Sequence, residues 1–342
     1  MAKRVDLIER SIYKRTQSFY AVSSWVEISY LLGPWIAGIA VAVLLPVFCQ
    51  FNAYVLYVFT IAGIYALLAI SWTLLALLRL YSLGHAMYIG ISGYIIGILS
   101  VSVWNLPFYA CAVLAIFGGL LLLVSFHAAS LKVKGPYFLL ATLLLPIMLA
   151  EATYLAPGIL RAEEGISGIP VPSYGLVPPS IANYYLVTVF VILILIFARR
   201  FINSKEIGLI VRCIADNEYA VEASGLSVWR YKILIFAVSS AIGVIAGILY
   251  TLVRGYIGPS SLSLTVSLTP LLGSVIGTVS TNIAGAVIGT YLLVVLLEGL
   301  RIAAIYKIIV YAVIIVIVVL TRPRGLFHYM EQFYHFFRRV YE

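Results

Sequence analysis

Residues able to do chemistry are few in this chain, and they gather in two places. The first is the run Ser82, Leu83, Gly84 and His85. Gly84 lets a helix break there, Ser82 can donate or accept a hydrogen bond, and His85 can do either depending on its tautomer. A polar step of this kind inside apolar sequence is costly to bury and is a candidate for function, although His85 equally suits a buried carbonyl between helices. The second place is ADNEYAVEASGLSVWRYK at 215–232. Here Asp216 is expected to cap a helix, with Asn217 and Glu218 in its first turn near the positive dipole end. Small or apolar residues follow at Tyr219, Ala220, Val221 and Ala223, and Gly225 supplies the left-handed conformation that stops a helix. Glu218 and Glu222 then share one face at i,i+4 spacing. Such a segment is either a solvated connector or a short docking helix that fits a groove on another protein.

Catalytic constellations are missing. The chain has no Gly-Lys dipeptide, hence no phosphate-binding P-loop, and no HExxH, GxSxG or paired-carboxylate pattern. Cys49, Cys111 and Cys213 show no CxxC spacing, so neither a metal site nor a disulfide framework is implied.

The elements that must position the two segments follow from composition. Of 342 residues, 63% are hydrophobic and 10% charged, with a mean hydropathy of +1.09. A soluble domain is roughly 45–50% apolar and about 25% charged, so a water-soluble globule, a disordered chain and a secreted disulfide scaffold are excluded. Apolar runs fall near 31–49, 53–78, 86–104, 107–126, 137–155, 184–198, 233–253, 266–280, 283–299 and 305–320. They lack period-2 polarity, which argues for helices over barrel strands. Runs 184–198 and 266–280 are short for a hydrocarbon core about 30 Å thick. The expected fold is therefore an all-α polytopic membrane protein of about 8–10 transmembrane helices, some re-entrant or broken.

The net charge of +9 fits the positive-inside rule. With a cytoplasmic N-terminus and alternating spans, 18 of the 22 basic residues fall inside, and only Arg161, Arg254, Arg301 and Lys307 fall outside. Both termini are then cytoplasmic. Three regions follow: a cytoplasmic segment 1–30, a membrane domain 31–320 and a cytoplasmic tail 321–342. Segment 1–30 carries Val5, Ile8, Ile12 and Phe19 at helical spacing, suited to a helix lying on the membrane surface. Within the domain, 156–183 is an external loop whose five prolines and four glycines favour a stiff fold, and 199–232 is the longest cytoplasmic connection. Glu151 is expected near the outer end of its span, and Glu298 and Arg301 are placed to pair at i,i+3. GxxxG pairs at Gly93/Gly97, Gly243/Gly247, Gly273/Gly277 and Gly285/Gly289 are expected to pack helices within the chain.

Six segments carry a family resemblance: YSLGHAMYIGISGY (81–94), LKVKGPYFLLATL (131–143), RAEEGISGIP (161–170), IADNEYAVEASGLSVWRYK (214–232), GYIGPSSLSL (255–264) and RPRGL (322–326). In this order they resemble the branched-chain amino-acid ABC transporter permeases, specifically the LivM-type transmembrane subunit, over most of the chain. One departure stands at 271–289, where Asn282, Ile283 and Ala284 replace an aromatic and proline step. The resemblance implies an importer permease that works by alternating access with a second homologous permease, two ATP-binding cassette ATPases and an extracytoplasmic substrate-binding protein in the cell membrane. It implies no cofactor in this chain, ATP and Mg residing on the ATPases, and no enzymatic activity here. Asp216, Asn217, Glu218, Glu222, Ala223 and Gly225 would form the ATPase coupling segment. Ser82, Gly84 and His85 would line the substrate path, with Thr142 a weaker candidate on the span after the turn at Lys134 and Gly135. A urea or short-amide permease of the same family is the nearest alternative. An ion-driven carrier lacks a relay of buried carboxylates, and a membrane enzyme lacks a catalytic set.

Overall fold

The computed structural model describes residues 25–131, 133, 135–204, 206–277, 282–299 and 313. The expected surface helix in 1–30 lies outside these residues up to position 24. So do Lys132, Lys134, Arg301, Lys307, the tail 321–342 and, apart from Val313, the expected span 305–320.

Two compact units divide the chain, residues 1–50 and 51–342. The described part of the first holds helix α1 (Trp25–Phe48), which begins inside the segment expected to precede the membrane domain.

In the second unit, α2 (Ala53–Ala76) starts at Asn52, whose Oδ1 accepts from the backbone N–H groups of Tyr54 at 3.0 Å and Val55 at 3.3 Å. Helix α3 (Ala86–Gly97) continues as a π-helical turn over Ile98–Val103. There follow α4 (Phe108–Ser130), α5 (Pro136–Leu155), the single turn α6 (Pro157–Leu160), α7 (Pro179–Ile202), α8 (Ile207–Asp216), α9 (Glu218–Ala223), α10 (Val228–Arg254), α11 (Leu264–Gly277) and α12 (Ile283–Gly299). Helix α2, α3 with its π turn, α4, α5, α7 and α10 are long and apolar enough to cross a bilayer. The chain is an all-α polytopic membrane protein, as the hydropathy pattern requires.

The run expected at 184–198 is not a short span. Its helix begins at Pro179 and reaches Ile202, 24 residues in all. A proline is at home at the first helical position, where its missing N–H has no partner to lose, and the polar residues Asn183 and Arg199 extend the helix beyond its apolar middle. The described parts of α11 and α12 run 14 and 17 residues, about 21 and 26 Å at 1.5 Å per residue.

A helix that is apolar on every side belongs in the middle of a bundle. Helices α2, α3 and α10 are buried over most of their length, whereas α4, α5 and α7 keep most of theirs on the surface. On α4 the exposed residues Tyr109, Val113, Phe117 and Leu121 recur every fourth position, one stripe of a helix turned to lipid. Close approach at the centre depends on small residues. A Cβ on Gly243 would meet the Tyr88 ring and one on Gly247 the backbone of α3, while Gly273, Gly277 and Gly289 set α11 against α12. Gly93 and Gly97 admit Ile257 and Ile166. All four GxxxG pairs thus sit in contacts made inside this chain.

Polar pairings sort the connections between two ends. At one end the Arg79 guanidinium lies 3.2 Å from Asp216 Oδ1, joining the exit of α2 to the connection 203–227. At the other, β1 (Ile166–Ser167) pairs antiparallel with β2 (Tyr256–Ile257), Ile166 opposite Ile257 and both fully buried. That ladder fastens loop 156–178 to the end of α10. The same loop is braced by the Tyr174 hydroxyl, which donates to Asn183 Oδ1 at 2.8 Å. Burial, with a smaller push from Tyr109, raises the Tyr174 phenol above its ordinary range.

Candidate translocation core and coupling segment

Between α2 and α3 the chain turns inward instead of running over the surface. The indole N–H of Trp72 donates to the Ser82 carbonyl at 2.9 Å, and Ser82 Oγ accepts from the Gly84 N–H at 3.1 Å. The Leu83 N–H donates to Thr142 Oγ1 at 3.1 Å, and that hydroxyl passes its own proton to the Leu139 carbonyl at 3.0 Å. A Cβ on Gly84 would stand 2.7 Å from the Thr142 carbonyl oxygen, so only glycine lets the step lie against α5. From α11, Ser267 Oγ accepts the Ala86 N–H at 3.0 Å and caps the start of α3 in place of a local residue. Ser82, Gly84, His85 and Thr142 are therefore brought together. Ser82, His85 and Thr142 have no exposed surface.

His85 opens onto a larger polar cluster that the sequence reading did not single out. Its Nε2 lies 3.4 Å from Ser71 Oγ, its ring meets Tyr88 edge-on at 4.9 Å, and its Nδ1 has no hydrogen-bond partner among the described residues. Ser71 donates to the Ser239 carbonyl and Ser239 to the Ser71 carbonyl, each at 3.0 Å, a reciprocal clamp between α2 and α10. The two hydroxyl oxygens also stand 2.8 Å apart, a contact the serines share, and His85 Nε2 donates or accepts at Ser71 Oγ according to its tautomer. The Tyr88 hydroxyl lies 3.2 Å from His127 Nε2. His127 Nδ1 is 2.8 Å from the Leu123 carbonyl, which only accepts, so the proton is on Nδ1 and Tyr88 donates to Nε2 of the neutral ring. His127 also stacks on Phe236 of α10, with centroids 4.5 Å apart. Its signal was present, an ionisable residue within an apolar span. Only its neighbours on α3 and α10 show what it does.

The candidate coupling segment differs from its expected form by one residue. Asp216 ends α8, and Asn217 is the cap of α9, its Oδ1 accepting the Ala220 N–H at 3.2 Å. The physical reason lies in the backbone: Asp216 is still helical in α8, whereas Asn217 has the extended dihedrals of a cap, φ −156° and ψ 102°. Gly225 does stop α9, with φ +85°, and its N–H bonds the Glu222 carbonyl at 2.9 Å. Glu218 and Glu222 separate in role. Glu218 lies 2.6 Å from Lys232 Nζ, whose side chain is only 9% exposed, and thereby ties α9 to the first turns of α10. Glu222, Ala223 and Gly225 are exposed, and Tyr219, Leu226 and Trp229 present apolar surface beside them. On α8, Gly208, Val211 and Ile214 face inward at every third position while Leu209 is 62% exposed.

Of the remaining sequence candidates, Glu151 is exposed at the end of α5, where water can reach it. Glu298 Oε1 accepts the Tyr54 hydroxyl at 2.6 Å, across from α12 to α2, a contact no i,i+3 argument contains.

The profile of one protein family, described as the branched-chain amino acid transport system / permease component, matches residues 54–319. No curated protein and no solved structure shows a significant match.

Proposed function

The chain belongs to the branched-chain amino acid transport permease family, and from that membership we propose that it is the LivM-type transmembrane subunit of an ABC importer for branched-chain or related amino acids. As a permease component this multi-pass membrane protein is a transport subunit, not an enzyme. In the proposed assembly a second homologous permease, two ATPases and an extracytoplasmic binding protein complete the machine, and ATP with Mg is held by the ATPases. The charge bias puts the end bearing Arg79, α8 and α9 in the cytoplasm, with both termini, and the β1–β2 end outside.

One observation carries the mechanism. Helix α10 holds the coupling segment and the buried core on one rigid rod. Lys232 grips Glu218 of α9, and Ser239, seven residues on and about 10 Å along the axis, clamps Ser71. Closure of the ATPases on the exposed face of α9 would press on this rod, and its displacement would part Ser239 from Ser71 and Phe236 from His127. The step Ser82, Gly84 and His85 would thereby open to cargo. Glu222, Ala223 and Gly225 supply the docking face, Asn217 and Gly225 define the ends of its helix, Asp216 fixes it to Arg79, and Glu218 transmits.

A carrier driven by ions alone is disfavoured because no Asp or Glu is buried among the described residues. The discriminating experiment is purification of the tagged chain from its native membrane. ATPase subunits that co-purify, with ATP hydrolysis stimulated by a loaded binding protein, support the reading. Uptake by the chain alone in liposomes under an ion gradient would overturn it. A urea or amide cargo, the second reading, would show as the ligand retained by the binding protein.

A further inference from the structure

A cavity of about 150 Å³ lies at the β1–β2 end of the bundle, between α2, α10, α11 and α12. Two of its walls carry opposite charges: Arg254, the last residue of α10, and Glu298, near the end of α12. They stand 44 positions apart in sequence. Neither group is loosely placed. The Arg254 guanidinium rests over the Tyr250 ring, 4.8 Å from its centroid, and Glu298 Oε1 accepts the Tyr54 hydroxyl. Arg254 and Tyr57 are exposed, whereas Ile61, Thr269 and Leu297 are buried, so the cavity has a charged, wet mouth and a largely apolar floor.

We propose that this cavity is an outer reception site for the zwitterion of a small aliphatic amino acid, Arg254 taking its carboxylate and Glu298 its ammonium, with the side chain over Ile61 and Leu297. A guanidinium fork matches a carboxylate through two parallel N–H donors, and a carboxylate can accept from an ammonium while still holding the tyrosine hydroxyl. Both ends of the cargo must shed water to enter, and an opposite charge at each end offsets that cost. A neutral amide or urea can hydrogen-bond to either group but forgoes the charge–charge attraction at both ends. The apolar floor of Ile61 and Leu297 suits an aliphatic side chain such as that of valine or leucine. The charges remain partly solvated at the mouth, so the site holds cargo weakly and releases it inward.

The proposal rests on the amino-acid reading above, and the test separates the two. The full-length chain in lipid nanodiscs is titrated with radiolabelled leucine, and three competitors are added: 4-methylpentanoate, which lacks the ammonium, isopentylamine, which lacks the carboxylate, and urea. Arg254→Gln should weaken leucine and 4-methylpentanoate about tenfold and spare isopentylamine, since one charge-assisted contact is lost. Glu298→Gln should do the reverse, weakening leucine and isopentylamine and sparing 4-methylpentanoate. Equal loss for all ligands in both variants would mean damage to the fold and would overturn the site. Leucine binding untouched by either variant overturns the site while leaving the amino-acid reading intact. A chain that binds urea and ignores leucine removes both.

Discussion

Taking away the Glu218 carboxylate strands the Lys232 ammonium in a nearly buried position, whereas taking away Glu222 strands nothing, because its side chain stands in solvent. Glu218→Ala should therefore destabilise the detergent-solubilised chain by about 1–3 kcal/mol, seen as a lower midpoint in thermal unfolding. Glu222→Ala should leave that midpoint unchanged and reduce only binding-protein-stimulated ATP hydrolysis in the full assembly. Equal thermal loss in both would show that the Lys232 contact contributes nothing. At the step, His85→Ala removes the ring's contact with Ser71 and leaves the serine contacts between α2 and α10 in place. Uptake should slow while assembly and basal hydrolysis persist; a variant that fails to assemble, or transports normally, would confine His85 to packing. The polar step was legible from residue type alone, since Gly84 and His85 are anomalous inside apolar sequence. His127 and Ser239 were not, because a serine or histidine in a span has many satisfactory partners nearby, and which one it finds depends on how helices far apart in sequence cross.

Among elements, the short helix α9 is defined by its ends. Gly225 adopts φ +85°, which a β-branched residue reaches only with strain, and a Cβ there would meet nothing within 4 Å. Gly225→Val therefore tests conformation without a clash. The chain should insert and fold, but coupling should fail, so stimulated ATP hydrolysis and uptake fall together; wild-type uptake would reduce the segment to a connector. The stop was readable because glycine has few rivals for that backbone. The start was misplaced by one residue because Asp216 and Asn217 cap about equally well, and what distinguishes them is that the preceding helix α8 runs through Asp216. Helix α7 shows a related effect. Hydropathy marks the apolar middle of a span and underestimates helices whose polar ends, here Asn183 and Arg199, lie beyond the hydrocarbon. The α2–α10 clamp gives a second test at this scale. Ser71→Ala and Ser239→Ala should each cost about 1 kcal/mol and, because they share one contact, should cost less together than their sum. Strict additivity in a thermal double-mutant cycle would show two independent bonds.

For the whole molecule, orientation is the property that most needs a direct reading. In a chain freed of its native cysteines, Glu163→Cys should react with an impermeant thiol reagent applied outside sealed cells, and Asp216→Cys only after the membrane is opened. Labelling of Asp216→Cys from outside would invert the map and, with it, the proposed sites of ATPase docking and cargo entry. One of the helices that join these two ends also connects the two proposed sites.

Helix α10 runs without interruption from Lys232, at the proposed coupling segment, to Arg254, at the proposed reception cavity, a length of about 33 Å that matches the hydrocarbon core. A rod gripped at both ends cannot respond at one without informing the other. On the proposed assignments, thermodynamic linkage then demands symmetry: whatever factor ATPase docking applies to leucine affinity outside, leucine must apply to ATPase affinity inside. The permease would in that case be a two-way gauge, its outer occupancy measurable as a change in how tightly it holds its motor.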